Sequence, residues 1–133
     1  MDKVKNFFSE HDHLAKLLGV ELIEVGPGTA KARMQITDSL KNGVGTVHGG
    51  AIFSLADFVF AVAANSHGQI AVAISASITF MKASSSGFLT AEAREVSKNF
   101  KLGTYIVEIR DDVGDIVAMF TGMVYRKKEN LPF

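Results

Sequence analysis

From Ala51 to Ala64 the chain is apolar at every position except Ser54 and Asp57. The run shows no strict alternation. Its length, its alanines and leucine, and the closing Asn65-Ser66-His67-Gly68 predict a helix over 49–66 with a glycine stop. A helix that is apolar almost all round cannot lie on a surface and has to be enclosed by other structure. That is the main constraint on the fold. It also makes the lone acid conspicuous, because burying a carboxylate in such a segment is costly.

The flanking sequence supplies the enclosure. Val4, Phe7, Phe8, His11, Leu14 and Leu18 recur at helical spacing and predict one amphipathic helix over 2–18. ELIEV, the turn Gly26-Pro27-Gly28 and the alternating Ala30, Ala32, Met34 and Ile36 read as a hairpin over 20–36. After the central helix, four stretches have strand character: 70–81, 87–97, 103–111 and 115–126. Short turn-rich breaks separate them, which suggests a consecutive antiparallel meander. The sum is one α+β domain over 1–133, an antiparallel sheet wrapped on a long central helix. A sheet with one face and its edges uncovered is expected to self-associate.

Two features point to chemistry. Gly49 and Gly50 stand where the helix begins, where backbone N–H groups lack internal partners and carry partial positive charge. Glycine admits a ligand oxygen close to the backbone, so the turn is a ready oxyanion site. Asp57 lies eight residues beyond Gly49, roughly 12 Å along the axis at about 1.5 Å per residue. One carbonyl cannot meet both groups of one helix. If both act on one atom, two copies of the chain must supply them. Asn42 and His48 flank the preceding loop; the amide can hold water or a carbonyl, or shape the turn with Gly43, and the imidazole can order the loop.

Composition excludes several classes. Formal net charge is +0, which argues against nucleic acid as the main partner. There are no cysteines, hence no disulfide, thiolate metal site or cysteine nucleophile. His11 and His13 are two apart and share no helix face, so no metal site is expected there. The start MDKVKNFFSEHDH lacks the apolar core of a signal peptide, and the central run is shorter than the roughly 20 residues that span a bilayer. A cytoplasmic protein without membrane or nucleic-acid partners is expected. The basic run Arg126-Lys127-Lys128 reads as a solvated chain end.

The pattern Asn42, Gly45-Thr46-Val47-His48-Gly49-Gly50 and Leu55-Ala56-Asp57 resembles the hotdog-fold acyl-CoA thioesterases, in particular the phenylacetic-acid-degradation (PaaI-like) branch. Asn65-Ser66-His67-Gly68 and Ile78-Thr79-Phe80-Met81-Lys82 also match that branch, so the likeness spans roughly residues 15–127. It implies a curved sheet around a central helix, paired edge to edge into a dimer, with two dimers forming a homotetramer. It implies an acyl-CoA substrate, no cofactor, and Asp57 as nucleophile or general base. The Gly49 N–H would polarise the thioester carbonyl, Asn42 would position water or thioester, and His48 would support the loop. Gly50, a polar residue on the central strand (Ser75 or Ser77), and Lys82, Lys98 and Lys101 are candidates for contact with substrate and coenzyme A phosphates. Phe53, Leu55, Phe58 and Phe60 are candidate acyl-pocket residues; aromatic, medium-chain and hydroxylated acyl groups all stay open. A non-catalytic acyl-CoA binding module is the alternative from another class. An enoyl-CoA hydratase or dehydratase on the same fold, pairing His48 with Asp57, is a third.

Overall fold

The computed structural model describes residues Met1–Phe133. The N-terminal apolar periodicity yields two helices, α1 (Asp2–His11) and α2 (His13–Leu18), instead of the single helix expected over 2–18. Asp12 breaks them with extended backbone, and its carboxylate accepts a hydrogen bond from the Ala15 N–H at 3.0 Å. The apolar spacing runs on across Asp12, but a short acidic side chain competes for backbone N–H groups and favours the cap over the helix interior.

Strands β1 (Val20–Gly26) and β2 (Thr29–Gln35) form the expected hairpin. Pro27 fixes the first turn position and Gly28, with φ of +72°, takes the second, which needs a left-handed residue. A short 3-10 turn (Asp38–Leu40) and a glycine-bearing loop lead into the central helix α3 (Gly49–Asn65). Strands β3 (Gln69–Phe80), β4 (Phe88–Lys98), β5 (Leu102–Arg110) and β6 (Ile116–Asn130) complete the chain.

All six strands form one antiparallel sheet in the order β1-β2-β4-β5-β6-β3. The four-strand meander expected after α3 is corrected here. β4, β5 and β6 do follow one another, but β3 lies at the far edge against β6. The Ser-Ser-Ser-Gly break is a crossover rather than a hairpin. Its backbone is tied to other segments: Met81 N–H donates to Val117 O, Val47 N–H to Ser84 O and Ile36 N–H to Gly87 O, each at 2.8 Å. Local turn chemistry does not report such long-range partners.

Helix α3 packs on the inner face of the sheet. Leu55, Ala56, Val59, Val62 and Ala63 are fully buried there, among Ala32, Met34, Leu89, Ala91, Val107 and Ile109. Asn65 closes the helix. Its Nδ2 donates to Ala61 O and Ala71 O, and its Oδ1 accepts from Ala71 N–H, so the helix end and the start of β3 are braced together. The enclosure expected for α3 is incomplete within one chain. Gly50, Phe53 and Asp57 are exposed and Ser54 and Ala61 half-buried, a stripe at helical spacing that no element of the same chain covers. The pocket candidates divide accordingly: Leu55, Phe58 and Phe60 belong to the core, and only Phe53 faces the open side.

One further expectation changes. Arg126 is no solvated chain end: it is buried within β6, donating to Asn99 O and Gln69 Oε1, while Lys127 and Lys128 are exposed. Neither face of β3 is well buried within one chain. Val72, Ile74 and Phe80 are exposed along this twelve-residue edge strand. No helix is long and apolar enough to cross a membrane.

Candidate active site

The N-terminus of α3 is built by a hydrogen-bond pattern that leaves one donor over. His48 is the N-cap, and its Nδ1 accepts from Gly50 N–H at 2.8 Å. A ring nitrogen that accepts carries no proton, which places the imidazole proton on Nε2. His48 N–H donates to Leu40 O, and Ala51 N–H and Ile52 N–H both donate to His48 O. Of the first-turn donors, Gly49 N–H alone has no protein acceptor. It opens into a cleft of about 370 Å³ lined by Asn42, Ile52, Phe80 and Lys82 among others. A Cβ added at Gly49 would lie 3.2 Å from the Phe80 ring, so side-chain-free backbone is what lets the ring pack close to this turn.

Asn42 anchors the preceding loop. Its Oδ1 accepts from Val44 N–H and Thr46 N–H, and its Nδ2 donates to Thr46 Oγ1 at 3.0 Å. These bonds shape the turn at Gly45, whose φ is +84°. The turn role weighed from sequence is therefore present, and one amide hydrogen remains unspent at the cleft wall.

Asp57 is on the same helix as Gly49, two turns on, and does not line this cleft. The acid read from sequence as buried is exposed in the single chain, on the open stripe with Phe53. Its carboxyl is nevertheless pushed above the usual range, first by partial desolvation and second by the charge of Asp12.

The remaining candidates are dispersed. Ser75 and Ser77 sit exposed on β3, away from the cleft. Lys82 reaches the cleft wall, but its ammonium is bound by Asp111 at 2.6 Å and Asp115 at 2.8 Å. Those hydrogen bonds raise its proton affinity and lower that of Asp111, so Lys82 closes the β5–β6 turn and is not a free cation. Lys98 and Lys101 stand at the β4–β5 turn, at the opposite end of the sheet from Gly49.

One polar cluster went unread in the sequence. At the far end of α3, His67 Nε2 and the Tyr105 hydroxyl meet the same oxygen of Glu95, at 2.8 and 2.6 Å. Burial alone would raise the Glu95 carboxyl; the hydrogen bonds from Tyr105 and His67 outweigh it and hold the carboxyl low. Burial, then the Glu95 contact, drives the fully buried Tyr105 phenol far up, so it stays a donor. A carboxylate with a depressed folded pKa stabilises the fold above its unfolded value and loses that contribution as pH falls through the folded one. Glu95→Gln should therefore destabilise the protein at neutral pH. The deficit should shrink as pH drops below 4.5, the ordinary carboxyl value; urea unfolding of both proteins across pH measures it.

An antiparallel sheet wrapped on one long helix is an architecture shared with known proteins. Residues 44–118 match the model of the Thioesterase superfamily. The chain is 39% identical over 118 residues to the acyl-coenzyme A thioesterase PaaI of Escherichia coli, covering 88% of this chain and 84% of the relative. It is 41% identical over 133 residues to a protein of Archaeoglobus fulgidus, covering 99% of this chain and 86% of that one. Its fold superposes on the structure of the E. coli PaaI protein from the phenylacetic acid degradation operon with a TM-score of 0.93 and 36% identity, covering 96% and 94% of the two chains. The chain belongs to the thioesterase superfamily and has the hotdog fold of its PaaI-like members.

Proposed function

We propose that the protein hydrolyses the thioester of an acyl- or aryl-coenzyme A, of phenylacetyl or medium-chain type, to the free acid and coenzyme A. The observation that carries this reading is the single unsatisfied N–H of Gly49, fixed by the His48 cap at the mouth of a cleft. A donor held in place before reaction stabilises the oxyanion that forms when a thioester carbonyl becomes tetrahedral. The kinship with the E. coli acyl-coenzyme A thioesterase supports the substrate class.

The second group comes from another copy of the chain. β3 presents an unpaired edge with exposed apolar side chains, and such edges seek a partner strand. Antiparallel pairing of β3 with its copy is isologous. It sets the Phe80 end of one strand beside the Gln69 end of the other and lets the open stripe of α3 face the partner. Asp57 of one chain then serves the Gly49 cleft of the other, and each dimer holds two sites. The same pairing brings Lys98 and Lys101 toward the partner's cleft, where they suit coenzyme A phosphates. Two dimers join into the tetramer, which native mass spectrometry reads directly.

The spare amide hydrogen of Asn42 suits a water or the thioester at the cleft wall. Two routes share this geometry. In one, Asp57 takes a proton from water while the hydroxide adds to the carbonyl and the thiolate leaves. In the other, the carboxylate itself adds, the C–S bond breaks and the thiolate leaves to give a mixed anhydride, which water then hydrolyses to the free acid and the Asp57 carboxylate. A single turnover in heavy-oxygen water separates them, because only the second puts label into Asp57 on hydrolysis at the aspartyl carbon and leaves the first acid released unlabelled. The function itself is tested with a panel of acyl- and aryl-CoAs, following free thiol. No thiol release from any member, with intact fold, would refute it.

A further inference from the structure

The β4–β5 turn displays an aromatic ring that the proposed reaction does not use. Phe100 is 78% exposed, more than any other aromatic residue of the chain. A loose loop could show such a ring by default, but this turn is braced. Asn99 N–H donates to Leu102 O, and Asn99 Oδ1 accepts from the N–H groups of Lys101 and Leu102 at 2.9 and 2.8 Å. Arg126 ties the turn to β6: its N–H donates to Lys101 O and its Nη1 to Asn99 O. Lys98 and Lys101 flank the ring in sequence, and the Lys101 ammonium lies 5.7 Å from its centroid.

Charge divides along the sheet in the same direction. In a chain of formal net charge +0, the end that carries this turn holds Lys98, Lys101, Arg126, Lys127 and Lys128 against Glu129. Glu95 of β4 is taken up by His67 and Tyr105. The opposite end carries Asp111, Asp112 and Asp115 in the β5–β6 turn. Arg126 sharpens the contrast. It is 6% exposed, its guanidinium bonds only the neutral oxygens of Asn99 and Gln69, and its Nε has no acceptor. A buried cation without a carboxylate partner keeps its field, since no ion pair cancels it and the interior screens less than water.

We propose that the β4–β5 turn is the nucleotide subsite for acyl-coenzyme A bound in the partner's cleft: Phe100 stacks on the adenine, Lys98 and Lys101 take phosphate oxygens, and Arg126 holds the turn from beneath. This rests on the thioester-hydrolysis reading and on the pairing of β3 edges. Gly49 stands at the Phe80 end of β3, where an added Cβ would meet the Phe80 ring. Edge pairing brings the Gln69 end of the copy beside it, and from that strand β6 and β5 follow in order. The copy's turn then lies about three strand spacings away, roughly 14 Å at ~4.8 Å each. The pantetheine arm of coenzyme A is a linear chain of that reach. A scattered apolar side chain needs no partner. A ring set among cations that lack carboxylate partners matches a ligand that is flat and aromatic at one point and anionic beside it. A base stacks on an aromatic side chain through its π face, and lysines serve phosphates as point charges.

One acyl group presented on coenzyme A and on pantetheine, which lacks the adenosine and its phosphates, separates this subsite from the reacting centre. Phe100→Ala should lower kcat/KM for the acyl-CoA by about 5- to 150-fold, the range that one base stacked on an aromatic side chain supplies, through KM and with kcat unchanged. On the acyl-pantetheine it should equal the wild type. Phe100→Tyr, which keeps the ring, should retain most of the wild-type value; Phe100→Leu, which keeps only apolar bulk, should not. Lys98→Gln combined with Lys101→Gln should lower kcat/KM for the acyl-CoA alone and flatten its salt dependence. Equal kcat/KM of Phe100→Ala and wild type on the acyl-CoA would overturn the proposal and leave thioester hydrolysis standing. So would an equal loss on both substrates, which would make Phe100 a structural residue. Absence of thiol release by the wild type from every acyl group on either carrier would instead remove the reading on which the subsite rests.

Discussion

Asp57→Ala lowers kcat for thioester hydrolysis by about 10²–10⁴-fold, the range a positioned acid–base group contributes, and leaves the fold intact. The side chain makes no hydrogen bond within its own chain and sits on the open stripe of α3, so removing it leaves no polar partner stranded. Stability should rise. The folded protein raises the Asp57 carboxyl, first through desolvation and then through Asp12. An acid with a raised folded pKa opposes folding where it is ionised, so the gain in Asp57→Asn appears at neutral pH and vanishes in acid. A loss of activity accompanied by a loss of stability would mean that Asp57 is a structural acid.

Gly49 offers the complementary change. It occupies the first helical position, where proline is tolerated because its missing N–H has no intrahelical role. Gly49→Pro deletes the free donor itself, worth about 10²–10³ in kcat for an oxyanion contact. Gly49→Ala is the control. Its Cβ crowds the Phe80 ring in the same way but keeps the N–H. The difference between the two reports the donor. Co-refolding Asp57→Ala with Gly49→Pro then tests the shared site: each hybrid dimer regains one intact site of its two. No recovery in hybrids that demonstrably form would show that one chain holds both groups.

The local structure at the start of α3 was more legible than the long-range order of the sheet. The apolar run around Asp57 and the paired glycines at its start have only one economical local reading, a helix with a polarised first turn, and α3 begins at Gly49 as that reading requires. The eight-residue separation within one helix carried a condition: if both groups act on one carbonyl, a second chain supplies one of them. What stayed hidden depends on partners distant in sequence. The placement of β3 beside β6 rests on a register of residues some forty to sixty positions apart. The pairing of Lys82 with Asp111 and Asp115 needs the β5–β6 turn to fold back on the crossover. Tyr105, Glu95 and His67 lie on three elements and share no motif. Asp12 did carry a local signal, an Asp three residues before Ala15, but apolar spacing masked it.

Phe60→Ala carries the largest expected loss of stability, about 3–5 kcal/mol for a buried aromatic ring, a large part of the ~5–15 kcal/mol that domains possess. The ring is 1% exposed and packs between Tyr105 and Phe120, at centroid separations of 5.8 and 5.3 Å. Its tip fills the space left by Gly122 of β6, where an added Cβ would come within 2.6 Å of Cζ. That makes the two positions a single packing unit. Gly122→Ala alone overpacks and should cost about 1–3 kcal/mol. Phe60→Leu alone leaves a void over the glycine. Combined, the new methyl group enters the vacated space, so the double variant should be more stable than the sum of the single losses predicts, a coupling of the kind contacting residues show. Urea midpoints of the four proteins give that coupling. Strict additivity would mean that the missing side chain at Gly122 serves the bending of β6 and not the aromatic core of α3.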